Sequence, residues 1–216
     1  YTGAIKDFTK AIDLGLNESY AFSNRALAKK SQKDYAGAIS DYTKAIEINP
    51  NNFSYYENRG VCKYILNDYL GAIADFKKVV EIDPENANSI KNIGIIKDEE
   101  LKDYAGAITE FTKAIEIDPK VSNYYYRRAR PKYQLEDYSG AIFDYTKAID
   151  LGENKASAFI NRGKAKHELG DYTGAIADYN IAIELNPNDA YDYRQRAKSY
   201  YELQNYQAAK VNSTKA

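Results

Sequence analysis

Asp171-Tyr-Thr-Gly-Ala-Ile-Ala-Asp-Tyr-Asn-Ile-Ala-Ile-Glu-Leu-Asn-Pro187 sets the plan of the whole chain. Tyr35-Ala-Gly-Ala-Ile-Ser-Asp-Tyr-Thr-Lys-Ala-Ile-Glu-Ile-Asn-Pro50 is nearly the same string. Related strings begin at Tyr1, Tyr69, Tyr104, Tyr138 and, in worn form, Tyr206. The glycines Gly3, Gly37, Gly71, Gly106, Gly140 and Gly174 fall at spacings of 34, 34, 35, 34 and 34 residues. A fixed period in this range marks stacked two-element units, an all-α solenoid in which each unit contacts its neighbours.

The string itself reads as an amphipathic helix, here called helix B. In its first copy Ala4, Ile5, Phe8, Ala11 and Ile12 recur at spacings of three and four. B helices are expected over 1–14, 36–48, 70–82, 105–117, 139–151 and 173–185, with a degraded one from 207. Between them, A helices are expected over 19–32, 53–66, 87–101, 122–135, 156–169 and 190–203. Pro50, Pro84, Pro119 and Pro187 stop B helices, because proline cannot continue a helix and restricts the residue before it. Gly15 and Gly152 stop the others by taking a left-handed conformation. Asp34, Asp68, Asp103, Asp137 and Asp171 each precede a B helix, where a carboxylate caps free amides. No linker interrupts the array, so residues 1–216 are expected to form one domain. It comprises 1–18 as helix B of a truncated repeat, repeats at 19–52, 53–86, 87–121, 122–155 and 156–189, and a partial repeat at 190–216.

Small residues face one another across the two helices. Helix B carries Ala4, Ala38, Ala72, Ala107, Ala141, Ala175 and Ala209, and helix A carries Ala26, Gly60, Gly94, Ala129, Gly163 and Ala197. Such pairs let helix axes approach at the short end of the ~8–10 Å range. Gly60→Leu is therefore expected to force helices apart. The aromatic column Phe8, Tyr42, Phe76, Phe111, Tyr145 and Tyr179 fills the space between units.

Composition excludes several classes of function. Lys and Arg total 30 against 31 Asp and Glu, so the chain lacks the basic surface of a nucleic-acid binder. Its longest apolar runs, such as Ile93-Gly-Ile-Ile96, are too short to span a bilayer. The sequence has one cysteine, Cys62, and one histidine, His167, three units apart, which gives no Cys–His pair. It shows no phosphate loop or nucleophile elbow. Asp98-Glu-Glu100 reads as a solvated helix face rather than a metal site. No catalytic residue, metal or cofactor is expected. Tyr1 lies at the mouth of a helix and the chain has no Met, so it reads as part of a longer protein. Its compartment stays open, with the cytoplasm slightly favoured.

With these residues in register, the sequence resembles the tetratricopeptide repeat (TPR) family. Phe159, Gly163, Ala175, Tyr179, Ala182 and Pro187 carry its signature within one unit, and the match recurs along the whole chain. The resemblance implies a right-handed superhelix of helical hairpins whose A helices line a concave groove for a peptide or a partner protein. The chain departs from the family in places. Arg25, Arg59, Arg128, Arg162 and Arg196 stand where an apolar residue is common, and Lys29, Lys63, Lys97, Lys132 and Lys166 replace a usual tyrosine. The unit from 87 has one extra residue near Glu100. The Lys/Asn set with which chaperone-binding members grip a terminal carboxylate is not reproduced. Ile95 and Asn123 stand at two of its positions.

The Arg and Lys columns are expected to pair with Asp41, Asp75, Glu110, Asp144 and Asp178 as exposed ion pairs, each contributing ~0–1 kcal/mol. The sixth position of each A helix is expected to carry a ladder of amides along the groove, Asn24, Asn58, Asn92, Asn161 and Gln195, with Arg127 as the fourth rung. An amide both donates and accepts, so such a ladder can hold the backbone of an extended peptide. Beside it lie Tyr126, Arg130, Lys164, Arg194 and Lys198. The basic later units suit an acidic ligand at that end. Pro131, inside an A helix, is expected to kink it near Arg127 and Arg130. The expected function is a non-enzymatic scaffold that binds an extended peptide or protein segment. The alternative is a structural or targeting arm of a larger protein.

Overall fold

A computed structural model describes residues 1–153 and 155–213. Among these residues there are thirteen α-helices, one π-helical turn and no strand. The chain forms two compact units, residues 1–101 and 102–216. The first unit contains α1 (Thr2–Asp13), α2 (Ser19–Ser31), α3 (Tyr35–Ile48), α4 (Phe53–Ile65), α5 (Tyr69–Ile82) and α6 (Ala87–Ile95), which runs into a π-helical turn at Ile96–Glu100. The second contains α7 (Tyr104–Ile117), α8 (Ser122–Gln134), α9 (Tyr138–Asp150), α10 (Ala156–Glu168), α11 (Tyr172–Leu185), α12 (Ala190–Glu202) and α13 (Tyr206–Ser213). Each helix packs on the next within its unit, the pattern of an all-α repeat solenoid. No helix among the described residues is long and apolar enough to cross a membrane.

Helix starts follow the expected caps. The carboxylates of Asp34, Asp68, Asp103, Asp137 and Asp171 accept from the amides of Gly37, Gly71, Gly106, Gly140 and Gly174 at 2.9–3.0 Å. The glycine ruler has its cause here. A Cβ on any of these glycines would sit 2.0–2.2 Å from Oδ2 of the capping carboxylate and 2.7–2.9 Å from the accepting Oδ1. The residue is small to admit the cap, whereas the alanine after it serves the helix contact. The stops also hold: Gly15 and Gly152 lie at φ +100° and +99°, in the left-handed region.

The aromatic column forms the floor between helices. Tyr42, Phe76, Phe111, Tyr145 and Tyr179 are all 2% exposed or less. Cys62 is a core residue packed with Phe22, Ala26 and Tyr42, and burial pushes its thiol pKa up.

The ion pairs differ from the exposed pairs expected from sequence. Arg25 grips Asp41 through Nε and Nη2 at 2.8 and 2.7 Å, and Lys29 reaches the same carboxylate at 2.8 Å. The set recurs as Arg59 and Lys63 on Asp75, Arg128 and Lys132 on Asp144, and Arg162 and Lys166 on Asp178. All four aspartates are buried, with side chains at most 5% exposed. Each arginine also donates through Nη1 to a threonine of the preceding B helix, Thr9, Thr43, Thr112 or Thr146, at 3.0–3.3 Å. The arginine thus joins two B helices through bidentate, charge-assisted bonds. The neighbouring helices remove these pairs from water, so the value of an exposed pair does not apply.

Two positions depart from this scheme. In the unit from 87 the arginine is replaced by Ile93, which packs with Phe76 and Ile96. Glu110, the acid expected to pair there, bonds Lys113 one turn along at 3.1 Å. At the other departure Arg196 bonds Asn212 and Asn180, so an amide replaces each partner.

The extra residue near Glu100 is absorbed as the π-helical turn, so the expected helix over 87–101 ends as α at Ile95. Asp98 in this turn is 1% exposed and Glu100 accepts from the Tyr64 hydroxyl at 3.2 Å. The solvated face expected for Asp98-Glu-Glu100 is therefore corrected: the wider turn rotates Asp98 inward. α8 continues through the buried Pro131 to Gln134.

Asp192 is 3% exposed, and its carboxyl pKa is pushed up to about 6, chiefly by burial and then by the charge of Asp189. The raised value means the folded state holds a proton that the unfolded chain has released. This site therefore opposes folding increasingly as pH rises through the window from about 4 to 6. Asp192→Asn is expected to raise the melting temperature at pH 7 and to leave it unchanged at pH 3.5. Thermal denaturation of both forms at the two pH values checks this.

Candidate functional site

The side chains of the expected groove do not share one environment. Asn24 is exposed. Asn58 is occupied: its oxygen accepts from Lys30 at 2.7 Å and its nitrogen donates to the Ser54 carbonyl at 2.9 Å. Asn92 is half-buried, and among the described residues its amide has no hydrogen-bond partner. In the second unit Arg127 is half-buried and Gln195 is 8% exposed, so this last rung faces inward. Arg194 and Lys198 are exposed, and Arg194 lies 5.2 Å over the ring of Tyr191. A period of 34 residues places the rungs in register. Their availability depends on neighbours such as Lys30, which lie outside the repeated pattern.

Four of the expected residues do come together in the second unit. Arg130 and Gln134 of α8, with Tyr133, face Asn161 and Lys164 of α10 across a cavity of about 170 Å³ whose floor is Tyr145 of α9. Asn161 donates to the Tyr126 hydroxyl at 3.2 Å, and Tyr126 stands edge-on to Tyr145. Lys164 lies 5.2 Å over the Tyr133 ring. Burial, with Glu168 nearby, pushes the Tyr133 phenol pKa to about 12, so it stays a neutral hydroxyl. Two cations and an amide thus line one cavity over a tyrosine floor, a set of donors suited to an anion.

The first unit has an equivalent cavity of about 150 Å³, which sequence reasoning missed. It is lined by Val61 and Tyr64 of α4, Phe76 of α5, Asn92 and Ile95 of α6, and Ile96. A signal for it existed. The ninth position of successive A helices reads Leu27, Val61 and Ile95, then Arg130, Lys164 and Lys198. The face is apolar in the first unit and basic in the second.

His167 bonds Ser199 at 2.8 Å through Nδ1 and stands edge-on to Tyr172. Among the described residues no cluster of three His, Cys, Asp or Glu could hold a metal ion.

Hairpins repeated at 34 residues, with small residues at the crossing and an aromatic floor, define a helical-repeat interaction scaffold. Tetratricopeptide repeat profiles match residues 19–52, 41–74 and 92–121, and a TPR repeat profile matches residues 163–204. The chain belongs to the tetratricopeptide repeat family and is a protein–protein interaction scaffold. No curated protein matches it in sequence.

Solved structures share its fold. A tetratricopeptide repeat protein from Parabacteroides merdae ATCC 43184 is 18% identical, with a TM-score of 0.77 over 90% of this chain and 77% of that one. YrrB, described as a TPR protein with an unusual peptide-binding site, is 19% identical, with a TM-score of 0.73 over 86% of this chain and 95% of its own. MamA is 24% identical, with a TM-score of 0.71 over 76% and 88%.

Proposed function

We propose that the chain holds an extended segment of another protein against its A helices, without catalysis of its own, and that the segment is acidic where it meets α8 and α10. The observation that carries this reading is the cavity lined by Arg130 of α8 and by Asn161 and Lys164 of α10. A carboxylate there gains two charge-assisted contacts, and Asn161 is placed to bond the adjacent ligand backbone. YrrB, of the same fold, is described as having a peptide-binding site, which supports a peptide as the ligand. Cys62 is fully buried with a raised thiol pKa, which suits a packing role and not that of a nucleophile.

A labelled decapeptide of alternating Glu and Gly, compared with its Gln counterpart, tests the reading by fluorescence anisotropy. The Glu peptide is expected to bind at least roughly tenfold more tightly at low salt, since hydrogen bonds to charged groups contribute ~1.5–3 kcal/mol. Arg130→Gln with Lys164→Gln is expected to erase that difference. Equal binding of the two peptides to the unaltered chain refutes the acidic preference. Asn92→Ala with Asn161→Ala is expected to weaken capture of either peptide while far-UV circular dichroism stays unchanged.

A further inference from the structure

The two cavities are one construction made twice. In each, the ninth and twelfth residues of an A helix form one wall: Val61 and Tyr64 in the first unit, Arg130 and Tyr133 in the second. The floor is the aromatic of the following B helix, Phe76 or Tyr145. The opposite wall is the sixth and ninth residues of the next A helix, Asn92 and Ile95 or Asn161 and Lys164. The amide and the wall tyrosine are kept. The pair at position nine is exchanged, Val and Ile for Arg and Lys, and the floor loses its hydroxyl. The first unit adds Ile96, the start of the π-helical turn. Turns of this kind are frequent where a helix serves a function.

We infer that the cavity of the first unit is a recognition pocket for one aliphatic side chain of a protein ligand, with Asn92 bonding the ligand backbone beside it. This rests on the reading that the A helices hold an extended protein segment, and it names the side chain that the first unit takes. Size supports the assignment. A cavity of about 150 Å³ lined by aliphatic and aromatic side chains matches apolar engineered cavities that accept a benzene-sized group. A leucine or isoleucine side chain is smaller than benzene's full outline and fits. Charge supports it too. No lining residue is ionised, so an acidic or basic side chain would lose its hydration there without a partner. The Asn92 amide, without a partner among the described residues, supplies what a backbone needs next to a buried apolar side chain.

Selection of a random decapeptide display library on the full chain, read by sequencing, tests the pocket. The unaltered chain is expected to enrich peptides with Leu, Ile, Val or Met as well as peptides with Asp or Glu. Val61→Arg with Ile95→Lys gives the first cavity the second one's chemistry. It is expected to cut the aliphatic enrichment roughly tenfold or more, the factor that burial of one such side chain supplies, and to increase the acidic enrichment. If that variant loses helicity by circular dichroism, Val61→Thr with Ile95→Thr, which keeps the β-branch at both positions and makes the walls polar without adding charge, takes its place with the same expected loss. Acidic enrichment without aliphatic enrichment on the unaltered chain overturns this inference and leaves the peptide-scaffold reading standing. Aliphatic enrichment that survives a folded position-nine variant overturns it as well. No enrichment of any peptide overturns both.

Discussion

Asp144→Ala is expected to destabilise the chain by ~3–5 kcal/mol, the range for removing one partner of a buried ion pair. The aspartate is fully buried and receives Arg128 through two bonds at 2.8 Å and Lys132 through a third at 2.8 Å. Its loss leaves two largely buried cations, 13% and 16% exposed, without their shared counter-charge. Asp144→Asn is expected to cost less. Nature has written that version at Arg196, where Asn212 accepts both bonds. There the second cation is absent too, because Tyr200 stands at the lysine's position. In the Asp144→Asn form Lys132 remains and the amide cannot neutralise it, so the variant should fall between alanine and the native chain. Urea denaturation followed by far-UV circular dichroism measures all three. A loss below about 1 kcal/mol for Asp144→Ala would mean the pair behaves as an exposed one.

Gly163→Leu should destabilise by ~3 kcal/mol or more, beyond the usual overpacking range. A Cβ at Gly163 meets the Tyr179 ring at 2.6 and 2.9 Å and the Ala175 carbonyl oxygen at 3.2 Å. Tyr179 is 1% exposed and has nowhere to retreat. The same change at Gly60 meets Phe76 and the Cβ of Asp75 at 3.2–3.3 Å, so its first carbon is tolerated better. Alanine separates the two sites. A helical glycine replaced by alanine gains ~1 kcal/mol in propensity. That gain should leave Gly60→Ala near neutral, whereas Gly163→Ala should remain destabilising. Thermal melts that rank the two alanine variants in the opposite order would contradict the geometry.

Much of this fold is readable without coordinates, because each repeat states it again. Asp34, Asp68, Asp103, Asp137 and Asp171 announce helix starts, and Gly15 and Gly152 announce stops. All of them act through neighbours a few residues away, which is why local reasoning reaches them. The burial of Asp144 is different. It depends on Arg128 before it and on Thr112 in the preceding B helix, which Arg128 also bonds. A sequence shows opposite charges sixteen residues apart but not whether water lies between them. The candidate site divides in the same way. Arg130, Asn161 and Lys164 were legible as a basic cluster around an amide. That Asn58 is held by Lys30, or that Gln195 turns inward, comes from contacts that vary between repeats. The apolar cavity was hidden for a simpler reason. Val61 and Ile95 look like ordinary core residues until the fold leaves space between them.

The arginine that reaches back to a threonine and forward to an aspartate has a consequence for how such a chain can be copied and rearranged. A hairpin lifted from one place and spliced into another carries its own arginine and aspartate, but borrows the threonine from whatever precedes it. The hairpins that carry Arg25, Arg59, Arg128 and Arg162 are interchangeable on that account, since Thr9, Thr43, Thr112 and Thr146 all offer the same hydroxyl, whereas the hairpin from 87 has Ile93 for the arginine and Lys77 before it in place of the threonine. The final one is not: Arg196 is matched to Asn180 and Asn212 together. The smallest module that can be moved without breaking a joint is therefore helix B, helix A and the next helix B, half a repeat longer than the period suggests.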